Sequence, residues 1–325
     1  SYKSMKHEFG TVIGFGAASI DMYRPVGEVS TGHEPGASAE WRFEDEQELK
    51  RMETEGCDVQ LGGNVVNVMV YLAQREGFDV HYAGVIGEKD LASYIIYWQM
   101  FAAKINTDRS LVIPDYNSAL SIQERLPNSP AMSRDRPGDP IAPYMNAEFI
   151  RKNSEDADTV IVGSFYGDAP VADVVFNNIP SEAFMTYVPG SEEYKQYPDL
   201  LQALMSGRQP TLLSLNRSEL RYLYEDSEST TEHLTVRAGE LAEYVLCTLG
   251  EEGALLAHNG DVVYGEAEYV DPKLIVDTTG AGDRAAAVTT EGLLQGISPE
   301  TILANIARNT AQVIQHRGCT TDLID

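Results

Sequence analysis

Short apolar runs separated by stretches of helical periodicity constrain most strongly what this 325-residue chain can fold into. Thr11–Gly16, Val80–Ile86, Thr159–Val162, Phe184–Val188, Thr211–Leu215 and Tyr244–Leu249 read as strands of four to seven residues. Strands apolar on both faces belong in a parallel sheet covered by helices on each side. The pattern therefore predicts an α/β fold: a three-layer sandwich with a mostly parallel central sheet. Ligands bind such sheets beyond the carboxyl ends of the strands. Helices are expected from Asn64 toward a stop at Gly77, over Leu91–Lys104 and Glu192–Met205, and from Ser298-Pro299-Glu300 to about Arg317–Gly318. Leu111–Ile113 and Ala119–Glu124 read as further strands, Pro127–Pro143 as a turn-rich connection, and Gly260-Asp261 as a hairpin turn between Ala254–His258 and Val262–Tyr264.

One segment carries chemistry more sharply than the rest. The apolar residues Ile275-Val276 enter Asp277-Thr278-Thr279-Gly280-Ala281-Gly282-Asp283, and an alanine-rich helix follows from Arg284. A strand, a glycine turn and a helix start leave backbone N–H groups of Gly280, Ala281, Gly282 and Asp283 free to hold an anion. Gly280 and Gly282 let a ligand approach the main chain closely. Asp283 falls in the first helical turn, where a carboxylate either caps the helix or accepts a proton from an attacking hydroxyl. Arg284 is a cation at the positive end of a helix, a locally unfavourable place. It faces a bound anion or solvent on this reading.

Charge narrows the partners. Fifty acidic residues against twenty-four basic ones give a net charge of −26. Such a surface repels nucleic acid and anionic membranes, and suits a salt-rich medium in which self-repulsion is screened. Apolar runs are too short to cross a bilayer. Cys57, Cys247 and Cys319 are odd in number and widely spaced, and no export signal is read, so reduced thiols and a cytoplasmic location are expected. No His or Cys spacing fits a structural metal site.

Other short elements have both structural and ligand-binding readings. Gly14-Phe15-Gly16-Ala17-Ala18-Ser19 lacks the third glycine and the helix of a dinucleotide fingerprint. Asp21 follows the first strand, where its carboxylate either caps a loop or accepts bonds from two neighbouring hydroxyls. Gly62 and Gly63 open a helix whose first turn holds Asn67, a ligand contact or a solvent-facing residue. Asn216 and Glu219 fit a capping box and also a set of oxygens able to hold water around Mg2+. Thr248, Gly250 and Gly253 form a strand-end loop or an ordinary turn.

In order and spacing, Gly16…Asp21, Gly62-Gly63…Asn67, Asn216…Glu219, Thr248-Leu249-Gly250-Glu251-Glu252-Gly253 and Asp277–Asp283 resemble the ribokinase (PfkB) family of carbohydrate kinases. The resemblance implies a single ribokinase-like domain over residues 1–325, with a small β lid from about 22–59 and 111–125. It implies an ATP-dependent kinase acting on a hydroxymethyl group of a small sugar or sugar acid. Asp21, Gly62, Gly63 and Asn67 would hold the acceptor. Asn216, Glu219, Thr248, Gly250 and Gly253 would lie at the nucleotide, with Mg2+ on the phosphates. Asp283 would be the general base, and a monovalent cation such as K+ would sit at Asp277 and Thr279 near Gly318. A homodimer through lid edges is a further expectation. Two departures stand out: Arg284 replaces a small residue, and Gly84–Asp90 carries one residue more than the family element. The alternatives are a nucleoside kinase, with Phe15, Tyr23 and Trp41 as base-stacking candidates, and a catalytically silent binding protein on the same fold.

Overall fold

A computed structural model of the chain describes residues 9–23, 58–88, 91–124, 132–136, 138–165, 170–190, 200, 204 and 207–319. Most of the expected helix Glu192–Met205 and of the stretch Met22–Val59, with Trp41, Cys57 and Asp90, lies outside the described residues.

Strands β1 (Gly10–Phe15), β2 (Ser19–Tyr23) and β3 (Asp58–Gly62) lead into helix α1 (Asn64–Ala73). Next come β4 (Phe78–Tyr82), β5 (Val85–Gly87), α2 (Leu91–Ala102), β6 (Leu111–Ile113), β7 (Ala119–Glu124) and β8 (Met132–Arg136). After α3 (Ala147–Ser154) follow β9 (Thr159–Val162), α4 (Pro170–Phe176), β10 (Phe184–Tyr187) and β11 (Leu212–Asn216). The C-terminal portion holds α5 (Arg217–Tyr224), α6 (Thr231–Arg237), β12 (Tyr244–Thr248), β13 (Ala254–His258), β14 (Asp261–Gly265), α7 (Ala281–Leu294) and α8 (Pro299–Val313).

The central sheet has eight strands in the order β14-β13-β12-β11-β10-β9-β1-β4. The six from β12 to β4 are mutually parallel, and β13 and β14 add an antiparallel edge. Side chains alternate along the strands, and both faces are buried except at the edge strand β14. In β1, Val12 joins the core shared with α1, α7 and α8, whereas Ile13 and Phe15 join the core on the α3–α6 side. In β12, Leu246 takes the first side and Val245 and Cys247 the second. This is why the strands read as unbroken apolar runs.

A second sheet runs β3-β2-β7-β8, and β5 pairs with β6 in a third. The fold is thus a three-layer α/β sandwich with a small additional β sheet. The chain passes from β1 to β4 on one side and then to β9 on the other, so the strand order reverses at β1. Gly16 and Gly163 flank that point, and a Cβ on either would press into Val65 of α1. The start of α1 therefore sits in the crevice where α/β sheets bind ligands.

Several local expectations need correction. Val80–Ile86 is two strands: the pairing with β1 ends with Ala83 N–H donating to Gly14 O at 2.9 Å, and from Val85 the chain pairs instead with β6. The hairpin turn is Asn259-Gly260, both at positive φ (52° and 84°), with Asp261 already in β14. The proline-rich connection contains an edge strand, β8, antiparallel to β7. No strand precedes the glycine turn. Ile275-Val276 run as an irregular segment, fixed where Val276 and Asp277 N–H both donate to Ile314 O (2.8 and 3.2 Å). The last helix stops at Val313, and Gly318, at φ 72°, belongs to the turn beyond it. Among the described residues no helix is long and apolar enough to cross a membrane.

Candidate active site

Gly280 caps α7 in the left-handed region (φ 77°, ψ −1°), and its carbonyl accepts the first helical bond from Arg284 N–H at 2.8 Å. Only glycine fits, since a Cβ there would collide with that of Cys319. Above Gly282 there is open space, and the first-turn amides of Gly282 and Asp283 lie ahead of any intrahelical acceptor. Alanines 285–287 carry little bulk, so α7 packs closely beside α1. That packing brings the two helix starts together.

Asp283 is buried at this junction, 9% exposed. Asn67 Nδ2 donates to its Oδ2 at 2.7 Å, and Asn64 Nδ2 donates to its Oδ1 at 3.3 Å. Burial pushes the carboxyl up to about 6, against the pull of these two amides. Asn67 is not the solvent-facing residue of the alternative reading: it is buried, and its Oδ1 has no partner among the described residues. Sequence reasoning missed Asn64. The signal was its spacing, one helical turn before Asn67 and on the same face.

The start of α1 is set by Gly63, whose φ of 99° and close approach to Ala17 O leave no room for a side chain. Asp21 of β2 stands opposite Gln60 in the small sheet. Both its carboxylate oxygens lie 2.6 Å from where a Cβ on Gly62 would be, so Gly62 makes room for that carboxylate. Asp21, Gly62, Gly63, Asn67 and Asp283 are therefore linked through one crevice.

Asn216 and Glu219 form a complete capping box on α5, with both reciprocal bonds at 2.9 Å. Glu219 is nonetheless pushed up to about 7 by burial, with the negative charge of Asp283 adding to the rise and the Asn216 amide opposing it. The capping role is thus real, and the same carboxyl feels the negative charge of Asp283. Thr248 pairs with Asn216 across the β11–β12 ladder. Beyond it, Gly250 (φ 67°) and Gly253 (φ 110°) shape a short turn, with open space over Gly250 and with Gly253 pressed on Gly265 O.

Asp277, Thr279 and Gly318 also come together. Asp277 Oδ1 accepts from Thr279 N–H (3.0 Å) and Oγ1–H (2.8 Å), and Oδ2 accepts from Gly318 N–H (3.0 Å). Arg284 neither reaches solvent nor turns to the open side of the cradle. It is 2% exposed, donates from Nη2 to Cys319 O at 3.0 Å and stacks on Tyr71. Phe15 and Tyr23 are buried, Phe15 in the main core, so neither presents a free ring to a base. Among the described residues no group of three or more His, Cys, Asp or Glu could hold a metal ion.

Comparisons with known proteins bear on the fold and the family. The pfkB family carbohydrate kinase model matches residues 167–325. The fold is similar to that of adenosine kinase from Sinorhizobium meliloti, at 17% identity and TM-score 0.71, covering 98% of each chain. It is also similar to a nucleoside kinase from Burkholderia thailandensis solved with inosine, at 18% identity and TM-score 0.69, covering 95% of this chain and 93% of that one. Ribokinase from Cryptococcus neoformans var. grubii serotype A, solved with ADP, shares 17% identity at TM-score 0.68, covering 97% and 96%. No curated protein matches the chain. The chain thus matches the pfkB family carbohydrate kinase model over residues 167–325, and its ribokinase-like fold extends through nearly the whole chain.

Proposed function

We propose that the chain is an ATP-dependent kinase that transfers the γ-phosphoryl group to a hydroxymethyl group of a small sugar or sugar acid. The observation that carries this reading is Asp283, a buried carboxylate clamped by Asn64 and Asn67 beside the open glycine turn. At neutral pH a group near 6 is mostly ionised yet basic enough to accept a proton. Asp283 takes the hydroxyl proton as the acceptor oxygen bonds to phosphorus. The bond from phosphorus to the β–γ bridging oxygen breaks, and ADP leaves. Backbone N–H groups of the Gly280–Asp283 turn face the charge on the transferring group. The acceptor's other hydroxyls are assigned to Asp21 and to the unpartnered Asn67 Oδ1, with Gly62 and Gly63 giving room. Asn216, Glu219, Thr248, Gly250 and Gly253 are assigned to the nucleotide side.

Mg2+, when bound, would neutralise the phosphate oxygens. Glu219 fits a water-mediated contact to it, because a buried carboxyl raised by a neighbouring negative charge is relieved by a cation. The fit to K+ is poorer. Asp277 spends its oxygens on Thr279 and Gly318, and no step is routed through that ion. The small sheet is assigned the role of a lid that keeps water from competing as acceptor, and its edges β3 and β8 are where a second copy would pair.

Burial of Phe15 and Tyr23 favours a sugar over a nucleoside acceptor. A screen of sugars, sugar acids and nucleosides with Mg-ATP, reading ADP release, tests the proposal. Turnover is expected on a sugar or sugar acid, and Asp283→Asn should lose about 10²–10⁴ of it while remaining folded. Near-normal turnover in that variant, or ligand binding with no ADP from any acceptor, would overturn the reading.

A further inference from the structure

We infer that Arg284 is a positioning residue that clasps the 314–319 segment and so holds the glycine turn in shape. The inference rests on the proposed kinase reading only for its activity readout. A guanidinium presents five donors and is hard to bury without partners. Here it is buried within the first turn of α7, one residue after Asp283. Its Nη2 donates to Cys319 O at 3.0 Å, and its carbon lies 5.2 Å from the centre of the Tyr71 ring.

Tyr71 is itself fixed. Its hydroxyl donates to Glu291 Oε2 at 2.8 Å, and Arg75 lies over the ring at 4.3 Å. Arg284 is therefore aimed at Cys319 by side chains of α1 and α7, the same two helices that carry Asn64, Asn67 and Asp283.

The segment it holds touches the cradle from behind. Ile314 O takes the N–H groups of Val276 and Asp277, and Gly318 N–H bonds Asp277 Oδ2. Cys319 packs its Cβ against Gly280. Residues 314–319 are thus zipped to the loop before the turn at one end and tied to Arg284 at the other. The Gly280 turn lies between these two attachments. Without the guanidinium, Cys319 O loses that bond, the segment beside Gly280 is held less firmly, and the amides facing the phosphoryl group lose part of their fixed placement. Asp21, Asn64 and Asn67 belong to other elements and stay in place, so acceptor binding should change little.

Arg284→Met keeps much of the volume and removes all donors. Hydrogen exchange in the full-length variant is expected to speed up at Gly318 and its neighbours, with the centre of α7 still protected. Turnover should fall about 10–100-fold, as displacement of groups at a reacting centre by an ångström costs about that much. KM for the acceptor should stay within about threefold, and Arg284→Lys should recover only part of the loss. Exchange at 314–319 identical to wild type in Arg284→Met would overturn the clasp. If wild type releases no ADP from any acceptor, the kinase reading fails, and the exchange comparison still decides the clasp. Should Arg284→Met not fold, Arg284→Lys carries the test: intermediate exchange supports the clasp, and exchange equal to wild type overturns it.

Discussion

Asp283 is held where ionisation is costly, and that cost is the basis of its proposed use. An ordinary aspartate near 3.8 is raised to about 6 in the folded chain. Its proton is bound more tightly folded than unfolded, so this group's contribution to stability is fully present below pH 3.8 and is lost as pH rises through about 6. The decline should approach roughly 3 kcal/mol, and Asp283→Asn should abolish that part of the pH dependence. Thermal melts of both proteins between pH 4 and 8 check this; parallel curves would refute the buried charge. Turnover should run the other way, rising with pH through about 6 as the base ionises. The aspartate was visible in the sequence as a carboxylate after a glycine turn. Asn67 was legible as a candidate ligand contact, but the pairing of Asn64 and Asn67 with this carboxylate was not, because they lie more than two hundred residues away and only helix packing brings them near.

At the scale of elements, α5 answers a question that sequence left open. Asn216…Glu219 fits both a helix cap and a magnesium-water ligand, and the helix start satisfies the first reading in full. The raised carboxyl at about 7 supplies the observation for the second. Glu219→Gln separates the two, since glutamine serves in a capping box but carries no charge. The variant should melt at or above the wild-type temperature at pH 8 and need more Mg2+ for half-maximal turnover. Lower stability with unchanged Mg2+ dependence would leave only the cap. Most strands were legible as apolar runs because both faces of the sheet are buried. The exceptions have causes that act at a distance. The break at Ala83–Gly84 falls where the chain leaves β1 and goes on to pair with β6, and no strand forms at Ile275–Val276, where the amides of Val276 and Asp277 both pair with Ile314 O just after α8.

For the whole molecule, charge is the dominant uncompensated quantity. A chain with a net charge of −26 repels itself when compact. The screening length falls from about 10 Å at 0.1 M salt to about 3 Å at 1 M. The melting temperature should therefore climb between dilute and molar KCl, and a flat response would contradict the reading of a surface suited to high salt.

Local patterns were enough to determine the layering and the central sheet, the glycine turn with its acid, and the likeness of residues 167–325 to pfkB carbohydrate kinases. Backbone propensity, burial periodicity and turn chemistry are all written in neighbouring residues. Which side chains meet at the crevice was decided only by tertiary structure. The alanine run of α7 packs against α1 so that Asn64 and Asn67 reach Asp283, and the turn after α8 brought Cys319 to Arg284. A buried charge takes its partners from whatever the packed elements deliver, and sequence spacing does not encode those distances.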